Sequence, residues 1–195
     1  MKSNIIIAGV GGQGILTIAA VIDTAALDSN LNIKQSEVHG MSQRGGAVQT
    51  HLRISDAEIY SDLIPLGKAD FIISVEPMEL LRYLPYLKKE GHLVTDSNPF
   101  VNITNYPELE ELYAEIKSLP NNILVDAKKI AKELGNSRAT NIVLLGAVSA
   151  ILPLSEDSLI KAIKTLFDRK GERIVNKNIE AFYKGKEIAN EIVLK

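Results

Sequence analysis

The feature that most constrains this chain is its opening, Asn4-Ile5-Ile6-Ile7-Ala8-Gly9-Val10-Gly11-Gly12-Gln13-Gly14, followed directly by the apolar, alanine-rich run Ile15 to Leu27. Ile5 to Val10 has the continuous apolar character of a buried strand, and the run after the glycines has the length and composition of a buried helix. Strand, glycine turn and helix in that order let side-chain-free backbone approach a ligand or another chain closely. They also leave the unpaired N–H groups of a helix N-terminus pointing outward. Gly9, Gly11, Gly12, Gln13 and Gly14 are therefore candidates for contact with a phosphate, a carboxylate or a partner's carbonyl groups.

The spacing Gly9-x-Gly11-x-x-Gly14 also fits the dinucleotide fingerprint. The acid expected on the second strand to hold a ribose is poorly matched, because Lys34, Gln35 and Ser36 stand near that place and Glu37 leads into another loop. A dinucleotide site, a purely structural turn, and a phosphate-bearing or subunit contact all remain open at this point.

Alternation of strand and helix continues along the chain. Asn32 to Val38 and Ala47 to Ile54 read as strands, and Glu58 to Ser61 as a short segment pairing back in a hairpin. Ala69 to Val75 reads as a buried parallel strand, with a helix expected over Glu79 to Lys89 and ended by Gly91. Strands follow at His92 to Asp96 and Ile123 to Ala127, and helices at Glu108 to Lys117, Lys128 to Leu134, Asn141 to Leu152, after Ser155, and from Glu172. The pattern predicts a three-layer α/β/α Rossmann-like domain with a mostly parallel sheet. Its 195 residues suit one domain over 1–195. In such sheets the working surface lies outside the carboxyl ends of the strands, so both glycine-rich segments are expected there.

Composition narrows the chemistry. A net charge of −2 gives no electrostatic reason to expect nucleic acid. The chain has no cysteine, which removes disulfides, thiolate nucleophiles and any iron–sulfur cluster held by its own thiolates. No apolar run is long enough to span a membrane, and a cytoplasmic location is expected.

The second glycine-rich segment is more specific. Glu37-Val38-His39-Gly40-Met41-Ser42-Gln43-Arg44-Gly45-Gly46-Ala47-Val48, His51-Leu52-Arg53-Ile54-Ser55, and Ala69-Asp70 and Glu76-Pro77 around the next strand join Gly9 to Gly14 in a larger pattern. In these segments the sequence resembles the gamma-type subunits of 2-oxoacid:ferredoxin oxidoreductases, most of all the beta subunits of the indolepyruvate branch. The resemblance implies a subunit of a complex that converts an aryl 2-oxo acid, CoA and oxidised ferredoxin into aryl acyl-CoA, carbon dioxide and reduced ferredoxin. Pyruvate, 2-oxoglutarate and branched-chain 2-oxo acids are the alternative substrates within the family.

The resemblance further implies that thiamine diphosphate and the iron–sulfur clusters sit on a larger partner subunit. Ferredoxin is then reached through that subunit, CoA is a cosubstrate, and no cofactor or metal is held by this chain. His39 and Arg44 form a candidate anion or partner site, with Ser42 between them. Gly40, Gly45 and Gly46 are expected to serve backbone conformation. His51 and Arg53, two apart on a strand, share a face and are interface candidates. Glu76 suits a helix start, and Asp96 and Asp126 suit helix caps. No nucleophile, base and orienting acid can be assembled, so no catalytic residue is named. A stand-alone nucleotide-binding module is the competing reading from another class.

Overall fold

Ile5, Ile6 and Ile7 are fully buried because apolar side chains leave both faces of the strand that carries them. Ile5 and Ile7 enter one core and Ile6 and Ala8 the other, as expected for a central strand covered on both sides. In the computed structural model, which describes residues 1–40 and 45–193, this strand is β1 (Lys2–Val10). It leads through the glycine turn into α1 (Leu16–Asp28).

The elements that follow are β2 (Asn32–His39), β3 (Ala47–Ser55), β4 (Ala69–Ser74), α2 (Pro77–Arg82), β5 (Leu87–Asp96), α3 (Leu109–Ser118) and β6 (Asn122–Val125). The carboxyl-terminal part is helical: α4 (Ala127–Glu133), α5 (Thr140–Ser149), α6 (Glu156–Phe167) and α7 (Glu172–Val193). The six strands lie in the order β2-β3-β1-β4-β5-β6. β1, β4, β5 and β6 are parallel, and β3 is antiparallel to both β1 and β2. Only β3 runs against the others, so the sheet is mostly parallel. Helices α1, α4, α5, α6 and α7 cover one face, and α2 and α3 the other.

Two local expectations are corrected. The helix expected over Glu79 to Lys89 stops at Arg82; Leu84 to Tyr86 form one 3₁₀ turn, and Leu87 already begins β5, which contains Lys89 and Gly91. Pro85 supplies the reason, since it lacks an N–H and clashes with the preceding turn. The hairpin expected over Glu58 to Ser61 does not form. That segment is held instead by side chains of β3: the Arg53 guanidinium donates to the carbonyls of Ser61 (2.7 Å) and Leu63 (3.2 Å), and Nδ1 of His51 accepts from the amide of Ile64 (3.0 Å).

Helices α5 and α7 cross with backbones almost in contact. A Cβ at Gly146 would collide with the Phe182 carbonyl, and one at Gly185 with the Val143 carbonyl. These obstacles are backbone rather than flexible side chain, so either Gly146→Ala or Gly185→Ala must push the helices apart. Each is expected to cost about 3 kcal/mol, the upper range for overpacking. Urea unfolding would measure this, and a wild-type midpoint in both variants would contradict the close crossing.

Candidate functional site

The glycine turn after β1 is pinned from three sides. Gln13 folds its side chain back: its Oε1 accepts the Val10 amide (2.7 Å) and its Nε2 donates to the Val75 carbonyl (3.2 Å) just beyond β4. Asn141, at the start of α5, donates from Nδ2 to the carbonyls of Gln13 (2.9 Å) and Gly14 (2.8 Å). Gly9 lies so close to Val75 and Ile15 that a Cβ has no room, and Gly12 and Gly14 take φ of +104° and +70°, where side chains are strained.

Gly45 and Gly46, at the end of the second glycine-rich segment, lie against the first. The Gly11 amide donates to the Gly46 carbonyl (2.8 Å) and the Gly45 amide to the Gly11 carbonyl (3.2 Å). β1 and β2 run in the same direction, so both loops emerge at the carboxyl edge, as the sequence predicts. The loop after β5 joins them, with Asn102 donating from its side chain to the Gly45 carbonyl. Among the described residues the amides of Gly12, Gly14, Ile15 and Leu16 have no hydrogen-bond partner. They border a pocket of about 430 Å³ whose walls include Val10, Val48, Glu37 and His39. It offers unpaired donors at a helix N-terminus, which favour an anionic or carbonyl group.

His39 is the exposed last residue of β2, next to the exposed Gly40. Gly45 has φ +79°. Ser42 and Arg44 lie outside the described residues. His51 and Arg53 do share one face of β3, but His51 is only 3% exposed and edge-on to Tyr86, its ring centroid 5.3 Å away. Burial holds its pKa below the usual histidine value, with Asp62 opposing. Both residues support the chain's own loop, which presents Tyr60, Leu63 and Leu66 outward.

Several side chains that hold this edge together carry little signal in the sequence. Glu76 is fully buried: one carboxylate oxygen caps α2 through the Glu79 amide (2.8 Å), and the other accepts from the Phe100 amide (3.3 Å) and the Tyr106 hydroxyl. Burial and that contact push the Tyr106 phenol upward. Asn141 stood in an apolar run as its one amide, which was the available signal. Asp126 caps α4 by accepting from the Lys129 amide (3.1 Å). Asp96, expected as a cap, is 3% exposed and burial pushes its pKa up to about 6.

The structure also weighs against a dinucleotide. Because β3 is inserted between β1 and β2, the end of β2 stands two strand spacings, roughly 10 Å, from the turn that would hold the pyrophosphate. The Gly46 carbonyl already occupies the Gly11 amide.

Residues 4–188 match the model of the pyruvate ferredoxin/flavodoxin oxidoreductase family. The chain belongs to that family. Among oxidoreductase relatives, it is 40% identical to the indolepyruvate oxidoreductase subunit IorB of Pyrococcus horikoshii, over 97% of each chain. It is 28% identical to the 2-oxoglutarate synthase subunit KorC of Methanocaldococcus jannaschii, over 98% of this chain and 96% of that one. The gamma subunit of a keto/oxoacid ferredoxin oxidoreductase from Geobacter sulfurreducens superposes with a TM-score of 0.71 at 26% identity, covering 97% and 99% of the two chains. The fold is also found in a 2-oxoglutarate:ferredoxin oxidoreductase from Magnetococcus marinus, with a TM-score of 0.76 at 23% identity. There the present chain covers 31% of the longer polypeptide.

This oxidoreductase-family chain has no group of three or more metal-ligating side chains among the described residues, and no cysteine in its sequence. Its residues do not fit an iron–sulfur cluster. No helix among the described residues is long and apolar enough to cross a membrane.

Removing the Gln13 plug leaves the buried Val10 amide and the Val75 carbonyl unpaired, at a cost of about 2 kcal/mol. Gln13→Ala is therefore expected to lower the thermal unfolding midpoint clearly; an unchanged midpoint would show that the turn holds itself.

For Asp96 the raised pKa fixes the sign of a pH effect. The folded state holds the proton more tightly than the unfolded chain, so this contribution is full below pH 3.8 and is lost as pH rises through about 6. Asp96→Asn removes it, and should raise stability relative to wild type at pH 7 by up to about 3 kcal/mol, with the advantage vanishing near pH 4. Denaturant titrations at the two pH values check this, and a pH-independent difference would contradict it.

Proposed function

We propose that the chain is the small subunit of an indolepyruvate oxidoreductase, working with a larger subunit that carries thiamine diphosphate and iron–sulfur clusters. The complex oxidatively decarboxylates aryl 2-oxo acids with CoA and ferredoxin. The ordering of the relatives carries this reading: four IorB subunits share 34–40% identity over 94% or more of their own length, against 27–31% for the KorC subunits. The absence of cysteine supports placing the clusters on the partner.

The proposed contact surface is the carboxyl edge. Gly9, Gly11, Gly12, Gln13 and Gly14 form its floor, with His39, Gly40, Gly45 and Gly46 beside them; Ser42 and Arg44, which fall between Gly40 and Gly45 in the sequence, are assigned to the same contact from sequence alone. Exposed Leu16, Val38, Phe100, Val101 and Ile103 add apolar area suited to a partner chain. A second contact runs through Tyr60, Leu63 and Leu66, on the loop that His51 and Arg53 hold in place. CoA is the ligand whose phosphates would suit the unpaired amides after Gly11.

The test is reconstitution from the two subunits purified separately, following ferredoxin reduction with indolepyruvate and CoA. Activity is expected only when both are present, with 2-oxoglutarate and pyruvate turned over more slowly. Full activity from the large subunit alone, or a clear preference for 2-oxoglutarate, would overturn the assignment.

A further inference from the structure

A second cleft, of about 210 Å³, opens at the carboxyl edge on the other side of Gln13. Gln13, Val75, Asp96, Asn98, Pro99, Phe100, Lys128 and Asn141 are among the residues that line it. It sits where the chain diverges: β1 is followed by α1 on one face of the sheet, and the neighbouring β4 by α2 on the other. Such a switch point leaves a crevice outside the strand ends where α/β folds bind ligands.

Asp96 shows that the cleft is built for something. The Asn98 amide (3.3 Å), Asn98 Nδ2 (2.8 Å) and the Ala127 amide (3.1 Å) all donate to its Oδ1. Its Oδ2 has no hydrogen-bond partner among the described residues. An asparagine could accept the same three hydrogen bonds with its single oxygen, so the fold does not need the second oxygen or the charge. Asp96 is only 3% exposed, yet Oδ2 is not among the side-chain atoms sealed from solvent without a partner, so this oxygen opens to the cleft, where a donor or cation would offset the cost of burying its charge.

The opposite polarity stands in the same cleft. Helix α5 begins at Ala139 without a side-chain cap, and the amides of Thr140 and Asn141 have no partner among the described residues. A helix end left this way calls for an acceptor, and the Lys128 side chain lines the same space. Val75, Pro99 and Phe100 give it an apolar side.

We propose that this cleft binds a free α-amino acid with an apolar side chain. Its ammonium group donates to Oδ2 of Asp96, its carboxylate accepts from the Thr140 and Asn141 amides with Lys128 beside it, and its side chain lies on Val75, Pro99 and Phe100. The volume is below that of a drug-sized pocket and suits such a small metabolite. Gln13 and Asn141, which lock the glycine turn, form part of the same wall, so occupancy bears directly on that turn. The site stands independently of which 2-oxo acid the complex uses.

Calorimetric titration of the full chain at neutral pH tests this with L-phenylalanine, 3-phenylpropionate (no ammonium) and 2-phenylethylamine (no carboxylate). L-Phenylalanine is expected to bind at least about tenfold more tightly than either analogue, a difference of roughly 1.4 kcal/mol. Asp96→Asn should bring its affinity down to that of 3-phenylpropionate, whose own binding is unchanged by the substitution. Lys128→Ala, an exposed change that leaves the fold alone, should weaken L-phenylalanine and 3-phenylpropionate together. Absence of saturable heat with L-phenylalanine to millimolar concentration, equal binding of the three probes, or wild-type affinity in Asp96→Asn would each overturn the proposal. Should Asp96→Asn fail to fold, the three probes on the wild-type chain still decide it.

Discussion

The structure depends on one side chain spanning two strands. Gln13 leaves the glycine turn and returns to the sheet, accepting at the end of β1 and donating just beyond β4. A backbone turn alone could not bridge that gap, because the parallel strands end there and their last polar groups would face the crevice unpaired. With Gln13 in place the turn is fixed, α1 starts where it does, and the amides of Gly12, Gly14, Ile15 and Leu16 border the pocket with no partner among the described residues. Asn141 adds the link to the helical layer. The exposed surface is therefore held rigid by groups buried beneath it, as a preformed contact site requires.

The two faces of the sheet divide the remaining work. The five-helix face supplies most of the core, and the close crossing of α5 and α7 sets where the amino end of α5, and hence Asn141, can lie. The thinner face leaves room for connections without regular structure. These are held by polar side chains: buried Glu76 ties α2 to the loop after β5, and buried His51 with half-buried Arg53 ties down the segment after β3. Polar side chains are thus used on this side to fix loops whose outer surfaces carry Tyr60, Leu63, Phe100 and Val101.

Much of this was legible in the residues themselves. Continuous apolar strands alternating with amphipathic or buried helices identify the three layers, and positive φ at Gly12 and Gly14 is what a glycine turn before a helix implies. Strand order was not legible, because β3 is chosen for its place between β1 and β2 by pairing over long sequence distances. The overrun of α2 came from weighing helix-forming residues above Pro85. The missing hairpin after Ser55 came from judging turn chemistry without knowing that Arg53 and His51 would claim the backbone of Ser61 to Ile64. The double role of Gln13 and the surplus oxygen of Asp96 are equally tertiary facts, since each depends on an element far away in the chain. The family resemblance rested on loops, where side-chain chemistry is specific.

The central claim is that the carboxyl edge is a preformed contact surface of an oxidoreductase subunit. Amide hydrogen exchange at Gly12, Gly14, Ile15 and Leu16, compared between this chain alone and the complex assembled with the proposed larger subunit, tests it most directly. The account predicts fast exchange in the isolated chain at these amides, which have no partner among the described residues, and strong protection on assembly, with the buried strands unchanged. Equal exchange in the two states would contradict it and place the contact elsewhere on the molecule.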